Sequence, residues 1–341
     1  MLGTELIEDF VRSVGVSWRI RDEKPISALL VASRESGKTT IAKAAESRIT
    51  QIETLVTGMG LLRRLKRNPD LRVLVLNDLA AIKGFRSNVV MLLISVLNGF
   101  CEDGLFNIDT PVGKMMSFGG LRGSLIACIT DDILQDERHK WSAMGFLSRC
   151  IPFAYSLPRD LIIQIKDGIQ QKNVQTLAQP EGIPAEFQPR SKKHKLQPVT
   201  VEIDENLDSI VRVLNDYKAQ QLSEKGIRLL KLYTCLVKAH AFLHGRDKVT
   251  DDDVFFLMQV NHYVSYGPDK VWDQKMYGGK GGYRKTRAQL PELGSDTLPQ
   301  LFQELPKAIK QRVKEKFIQM KQTVPGGGVR KELKTDVKKT A

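Results

Sequence analysis

The segment ASRESGKTT, residues 32–40, constrains the fold more than any other part of this chain. It matches the phosphate-binding loop pattern G-x-x-x-x-G-K-[ST], except that alanine replaces the first glycine. The apolar run PISALLVA leads into it, and a segment rich in Ala, Lys and Glu follows it. A buried strand, a tight loop and a helix are therefore predicted in that order, as in parallel α/β sheets.

The loop predicts a site for ATP with Mg²⁺. Gly37 lets the backbone approach a phosphate, Lys38 supplies a positive charge for the β- and γ-phosphates, and Thr39 offers its hydroxyl to Mg²⁺. Ala32 costs little in place of glycine if its φ stays negative. The predicted nucleotide-binding residues are Ala32, Ser33, Arg34, Glu35, Ser36, Gly37, Lys38, Thr39 and Thr40.

A second apolar run, LRVLVLND, ends in Asn77 and Asp78, where a pair of acids is expected beside the metal. Asp78 is predicted either as the carboxylate that binds Mg²⁺ or as the base that orients water. Asn77 can hold a metal-bound water through its carbonyl oxygen but brings no charge. Two outcomes stay open: an active ATPase, or a chain that binds ATP and hydrolyses it slowly or not at all.

The rest of the chain predicts an α/β core followed by helices. The segment TTIAKAAESRITQIETL has helical composition, GLFNIDTPVGKMMSFGG predicts a β-hairpin, and SLIACIT and RCIPFAYSL predict further buried strands. Such alternation implies a parallel sheet with helices on both faces. Thr250 is predicted to cap a helix that starts with three acids. The predicted units are a core over 1–160, a linker over 161–200, a helical lid over 201–266, a basic spacer over 267–295 and a basic module over 296–341.

The charge of the chain is +13 and is unevenly placed. From Lys270 onward, 17 lysines and arginines face 7 acidic residues, a net charge of +10. Such a segment indicates an anionic partner, nucleic acid first. The apolar runs are too short for a membrane span, and the four scattered cysteines favour a reducing, cytoplasmic compartment.

The order of these segments resembles the AAA+ ATPases, and within them the branch with a hairpin before the sensor strand that contains the minichromosome maintenance (MCM) helicases. The resemblance covers about residues 20–262, with Ala32 and the Asn77–Asp78 pair as departures. MCM proteins carry a large N-terminal DNA-binding domain, whereas about twenty residues precede the first strand here. The chain would therefore be a motor core without that domain, or a piece of a larger protein.

The resemblance implies roles for three residues at the ATP site. FLSRC is similar to the MCM motif LLSRF, which implies that Arg149 acts on the γ-phosphate bound by a neighbouring subunit. Thr130, which ends SLIACIT, takes the place of sensor 1. Arg228, early in a helix that resembles the first helix of the MCM lid, takes the place of sensor 2.

The resemblance also implies contacts with DNA. Lys114, near the turn of the predicted hairpin, would touch the nucleic-acid backbone inside a ring, or is an ordinary solvent-facing turn residue. The C-terminal segment has about the size of a reduced winged-helix module, and its basic helix is compatible with duplex phosphates or with solvent. Its basic residues are Lys307, Lys310, Arg312, Lys314 and Lys316.

Two functions are predicted from these features. The first is an ATP-driven DNA motor, a homo-oligomer and most simply a hexameric ring, resembling an MCM replicative helicase core from a mobile element. The second is an ATP-dependent AAA+ switch on DNA with slow hydrolysis, such as a helicase loader or a transposition regulator. The Asn77–Asp78 pair favours the switch, and the hairpin and helical lid favour the motor. The basic tail disfavours a protein remodeller without nucleic acid.

Overall fold

The computed structural model describes residues 4–109, 115–170, 180–188, 197–222, 225–267 and 290–293. The chain divides into two compact units, Met1–Pro299 and Gln300–Ala341, and all described residues belong to the first. The predicted DNA contacts lie outside the described ranges and stay predictions. They are Lys114, Lys307, Lys310, Arg312, Lys314 and Lys316.

Five strands form one parallel sheet, and two more form a separate antiparallel hairpin. In chain order they are β1 (Ser27–Ala32), β2 (Thr50–Glu53), β3 (Val73–Leu76), β4 (Leu105–Asp109), β5 (Met115–Leu121), β6 (Ser124–Thr130) and β7 (Cys150–Ala154). The order across the parallel sheet is β2-β3-β6-β1-β7, and β4 pairs with β5. β1, β3 and β7 consist of buried residues throughout, as expected for parallel strands that are covered on both faces.

Helices cover both faces of the sheet. They are α1 (Glu5–Val16), α2 (Lys38–Ala42), α3 (Gly58–Arg67), α4 (Ser87–Cys101), α5 (Asp131–Ala143), α6 (Arg159–Gln170), α7 (Glu205–Leu222), α8 (Ile227–Leu243) and α9 (Asp251–Tyr263). One apolar core joins α3, α4 and α5 to one face of the sheet. On the other face α1 packs against β1 and β6 and against α8 and α9.

An aromatic stack links the C-terminal helices to the sheet. The ring of Phe153 in β7 lies 5.0 Å from that of Phe10 in α1 and 4.9 Å from that of Tyr263 in α9. Phe10 and Phe153 are completely buried. Helices α8 and α9, predicted as part of a lid, therefore pack firmly on the core through α1 and β7.

The parallel sheet and the hairpin of the sequence prediction are confirmed, and so is the cap at Thr250. The backbone N–H of Thr250 donates to Oδ2 of Asp253 at 2.8 Å in a capping box at the start of α9. None of the helices in the described ranges is long and apolar enough to cross a membrane.

The helix predicted over residues 39–55 is wrong in its second half. Helix α2 ends at Ala42 and gives way to a 3₁₀ turn over residues 43–45, and β2 follows at Thr50–Glu53. The composition of this segment is helical, but pairing of β2 with β3 along its whole length overrides that local preference. Likewise, the predicted linker over 161–200 contains most of helix α6.

Candidate nucleotide-binding site

The loop of residues 33–37 lies at the carboxyl end of β1, next to the centre of the sheet. The connections that leave β1 and its neighbour β6 run to opposite faces: α2 packs on α1, whereas α5 joins the core with α3 and α4. A crevice opens where neighbouring connections diverge in this way, and ligands of open α/β sheets bind there. The predicted loop therefore occupies the position where such a sheet binds a ligand.

The backbone of the loop contains two left-handed residues. Gly37 has a φ of 72°, and a Cβ placed there would have no heavy atom within 4 Å, so the space beside it is open. Glu35 has a φ of 59°, which is uncommon for a residue with a side chain and is found at ligand-binding loops. The buried Tyr155, directly after β7, donates its hydroxyl to the carbonyl oxygen of Ser36 at 3.1 Å. Tyr155 thus ties the loop to the neighbouring strand.

Lys38 lies folded over this loop. Its Nζ donates to the carbonyl oxygens of Ala32 at 2.9 Å and Ser33 at 2.6 Å, and to Oγ of Ser36 at 3.1 Å. Partial burial lowers the pKa of Lys38, although nearby carboxylates oppose this shift. The ammonium group is thus held at the loop by three oxygens that carry no full charge, so an anion would be a stronger partner.

Two buried polar atoms at the same ends of neighbouring strands have no hydrogen-bond partner among the residues that the structure describes. They are Oδ1 of Asn77, just after β3, and Oγ1 of Thr130, at the end of β6. Most buried polar groups in proteins are hydrogen-bonded, so each of these atoms has room for a water, an ion or a ligand, as do six further buried polar atoms elsewhere in the described ranges. The structure therefore leaves unmet hydrogen-bonding capacity at the two residues predicted to contact the nucleotide and its water.

Asp78 is exposed, and its Oδ1 accepts from the backbone N–H of Ala80 at 3.0 Å. Asp131 and Asp132, in the first turn of α5, lie close enough to act with Asp78 on the pKa of Lys38. Within the described residues, no three acidic, histidine or cysteine side chains lie close enough together to form a metal site of their own. Mg²⁺ beside a nucleotide needs only one or two carboxylates, because phosphate oxygens and water supply the other ligands, and Asp78 and Thr39 are residues of the kind that such a site uses.

Sequence reasoning missed Asp131 and Asp132 because it looked for acids only after β3. The signal was present, since both follow directly on the polar end of an apolar strand. It also missed Tyr155, whose contact with the loop depends on β7 pairing beside β1. The other predicted loop residues vary in exposure: Ser33, Arg34 and Thr39 are exposed, and Thr40 is half-buried.

The phosphate-binding loop lies where the parallel strands end, which we call the carboxyl edge of the sheet. The two predicted arginines lie where the strands begin, which we call the amino edge. Arg149 comes directly before β7, whereas Tyr155 at the loop comes directly after it. The strand between them separates the two positions by roughly 20 Å. Arg228, in the first turn of α8, lies beside Arg149, because both contact the same carboxylate, that of Glu102. The structure thus places Lys38, Asp78, Asn77 and Thr130 at one edge and the arginine pair at the other.

A cleft of about 670 Å³ adjoins the arginine pair. Positive side chains dominate its charged lining, which consists of Glu102, Arg138, Lys225, Arg228 and Lys231. The guanidinium carbon of Arg138 lies 4.9 Å from the ring centre of Tyr266, which also lines the cleft. The excess positive charge suits this cleft to an anion.

No family model matches this chain, and no curated protein matches it significantly in sequence.

Proposed function

We propose that the chain is an ATPase whose active site is completed by a second copy of the same chain, within an oligomer that moves on DNA. One observation carries the proposal: Lys38 and Arg149 lie at opposite edges of one sheet. An arginine in that place is too far from its own phosphate-binding loop to touch the nucleotide. A neighbouring copy that packs one edge against the other would bring the two together.

The residues near the phosphate-binding loop have different roles at the nucleotide. Lys38 binds the β- and γ-phosphates, and Thr39 with the nearby acids holds Mg²⁺. Oδ1 of Asn77 accepts a hydrogen bond from the attacking water, and the hydroxyl of Thr130 donates to the γ-phosphate or to that water. Bound Mg²⁺–ATP supplies the phosphoryl group that is transferred to water, and the arginine pair of the next copy stabilises the charge that develops during transfer.

A contact between two different edges is heterologous, so each added copy exposes a new edge for the next one. Such contacts close into a ring if the rotation between copies permits and otherwise produce a filament. A hexameric ring is the arrangement implied by the resemblance to AAA+ proteins. The order of the strands supports the resemblance to AAA+ proteins, since β6 with Thr130 lies between the loop strand β1 and the Asp78 strand β3. The hairpin inserted before β6 supports the branch of the family that contains the MCM helicases.

The surface around α3 and the hairpin supports DNA as the partner. Arg63, Lys66 and Arg67 are exposed on α3, and Nζ of Lys66 donates to the carbonyl oxygen of Ser117 in β5 at 2.8 Å. Phe106 of β4 is 60% exposed. Cationic side chains on α3 and an exposed aromatic ring on the hairpin that α3 contacts suit single-stranded nucleic acid, because phosphates pair with cations and bases stack on aromatic rings.

The alternative is an ATP-dependent switch on DNA that hydrolyses slowly. Asn77 favours it, because an amide at this position brings no charge and cannot accept a proton from water. Asp131 and Asp132 weigh against it, since they place two further carboxylates near Lys38.

The test is the ATPase rate, with and without single-stranded DNA, of the parent chain and of the Asp78→Ala and Arg149→Ala variants. The motor predicts turnover that DNA stimulates and that both substitutions abolish. ATP-dependent DNA binding with negligible turnover would leave the switch. If DNA changed neither the binding of ATP nor its turnover, both functions would be wrong.

A further inference from the structure

Glu102 binds both arginines of the pair. Its Oε2 accepts a short hydrogen bond from Nε of Arg149, and its Oε1 lies 3.4 Å from Nε of Arg228 and 3.5 Å from Nζ of Lys24. The side chain of Glu102 is only 17% exposed, so these contacts are partly shielded from water. One carboxylate therefore fixes two cations that come from distant parts of the sequence.

Both arginines use the same nitrogen for Glu102 and keep their outer nitrogens for other partners. Nη1 of Arg149 donates to the carbonyl oxygen of Gly145, and Nη1 of Arg228 donates to Oγ of Ser148 at 3.1 Å. Neither Nη2 atom donates to any residue in the described ranges. Glu102 thus orients each guanidinium from its inner side and leaves an outer N–H for an anion that arrives from outside the chain.

The position of Glu102 is unfavourable for the helix that carries it. Glu102 follows the last residue of α4, where the negative end of the helix dipole disfavours an acid, and Asp103 adds a second charge. Burial also opposes ionisation, but the hydrogen bond from Arg149 and the charges of Arg149, Lys24 and Arg228 outweigh it and lower the pKa of Glu102. The cationic partners thus stabilise the ionised form of this carboxylate.

We propose that Glu102 is a positioning residue that aligns Arg149 and Arg228 as one two-arginine clamp for the γ-phosphate of ATP bound to the adjacent copy. This inference rests on the proposed function. Glu102 touches no part of the nucleotide and acts only through the two guanidinium groups. The clamp is aligned before the copies meet, which avoids the cost of ordering two long side chains during the reaction.

The test is the steady-state ATPase of the full chain with Glu102→Gln, which keeps the size of the side chain and removes its charge. We expect kcat to fall by about 10- to 100-fold, the loss typical of a misplaced catalytic group. KM should stay unchanged, because ATP binds to the loop at the other edge. Asp103→Asn is the matched control. Asp103 is 77% exposed and, within the described ranges, its ion pair is with Lys24 and not with either arginine, so this variant should keep the kcat of the parent chain.

A second comparison separates positioning from a general structural effect. In a chain that already carries Arg149→Ala and Arg228→Ala, Glu102→Gln should cause no further loss of kcat, since its targets are gone. If Glu102→Gln does not fold, Glu102→Asp replaces it; it keeps the charge but is one methylene shorter, and should still lower kcat at constant KM.

The inference is overturned if Glu102→Gln behaves like Asp103→Asn, or if it lowers kcat equally with and without the two arginines. A different result identifies a failure of the proposed function itself. If the parent chain does not hydrolyse ATP, or if removal of both arginines leaves kcat unchanged, the arginines are not part of an ATPase site. The proposed role of Glu102 is then wrong as well.

Discussion

The two edges of the parallel sheet differ in how their cationic side chains are paired. At the carboxyl edge, Lys38 donates to three neutral oxygens and forms no ion pair with any residue that the structure describes. At the amino edge, Arg149 and Arg228 share the carboxylate of Glu102 and are already oriented. The first edge is thus incomplete in the sense that its cation has no charged partner in the described part of the chain, whereas the two cations of the second edge are already paired.

This difference indicates that the two edges have different roles in the reaction. A single copy cannot place both edges at the same nucleotide. An incomplete edge gains a large share of its interactions from the nucleotide, and a preorganised edge can act on charge as it develops. Removal of the cations at the two edges should therefore have different kinetic signatures: loss of Lys38 weakens the binding of ATP, and loss of either arginine lowers the rate of hydrolysis.

The largest effect is expected at the amino edge. Arg149→Ala removes the cation that stabilises the transferring phosphoryl group, which is worth about 10³-fold or more in kcat. The affinity for ATP should stay unchanged, as measured by equilibrium binding of a fluorescent nucleotide. Weakened binding with unchanged kcat would reverse the assignment of the two edges.

Lys38→Ala should have the next largest effect, and on binding. Loss of a charge-assisted bond to the phosphates costs about 2–3 kcal/mol, which corresponds to roughly 100-fold in affinity. Lys43→Ala is a control on the same segment of chain, just past the end of α2, and should bind ATP like the parent. Equal affinity of Lys38→Ala and the parent would show that the loop does not hold the nucleotide.

A smaller effect is expected at Asp131. If it contributes to the Mg²⁺ site from α5, Asp131→Asn should raise the Mg²⁺ concentration needed for half-maximal turnover by about 10-fold. Saturating Mg²⁺ should restore the rate, and Asp136→Asn, further along α5, should behave like the parent. A loss of rate that Mg²⁺ does not restore would move Asp131 from metal binding to positioning of water.

The smallest effect on turnover is expected at Lys218, a buried cation outside both edges that forms no ion pair within the described ranges. It is 6% exposed, and burial lowers its pKa from 10.5 to about 8. Below pH 8 the buried charge of Lys218 therefore lowers the free energy of unfolding by up to about 3 kcal/mol. This destabilisation disappears as the pH rises through 10.5.

Lys218→Met should accordingly have a higher free energy of unfolding than the parent chain at pH 7, and nearly the same value as the parent at pH 10.5, as measured by urea unfolding. Lys238→Met is the matched contrast, because Lys238 binds Glu23 at 2.6 Å and its removal leaves that carboxylate without its partner. It should destabilise the chain at pH 7. Stabilisation by Lys218→Met that does not depend on pH would mean that packing, and not charge, explains the gain.

The carboxyl edge was largely predictable from sequence, and the amino edge was not. The loop, Asp78 and Thr130 follow apolar strands directly, so their common edge could be inferred from the parallel arrangement alone. Short-range patterns did not reveal β2, because it is a half-exposed edge strand whose pairing with β3 outweighs its composition. Nor could they predict the meeting of Glu102, Arg149 and Arg228, which depends on where α4 ends and on how α8 packs near it.

The most direct test of the two-copy site is a mixture of two defective chains. Lys38→Ala has an intact arginine edge and a defective loop, and Arg149→Ala has the reverse. At an ATP concentration that saturates the loop of the parent chain but not that of Lys38→Ala, each alone should have almost no ATPase activity. Mixed before assembly, they should recover a substantial part of the parent rate, because some interfaces join an intact loop to an intact arginine edge. A mixture that is no more active than the sum of its components, although the two chains co-assemble, would contradict the account.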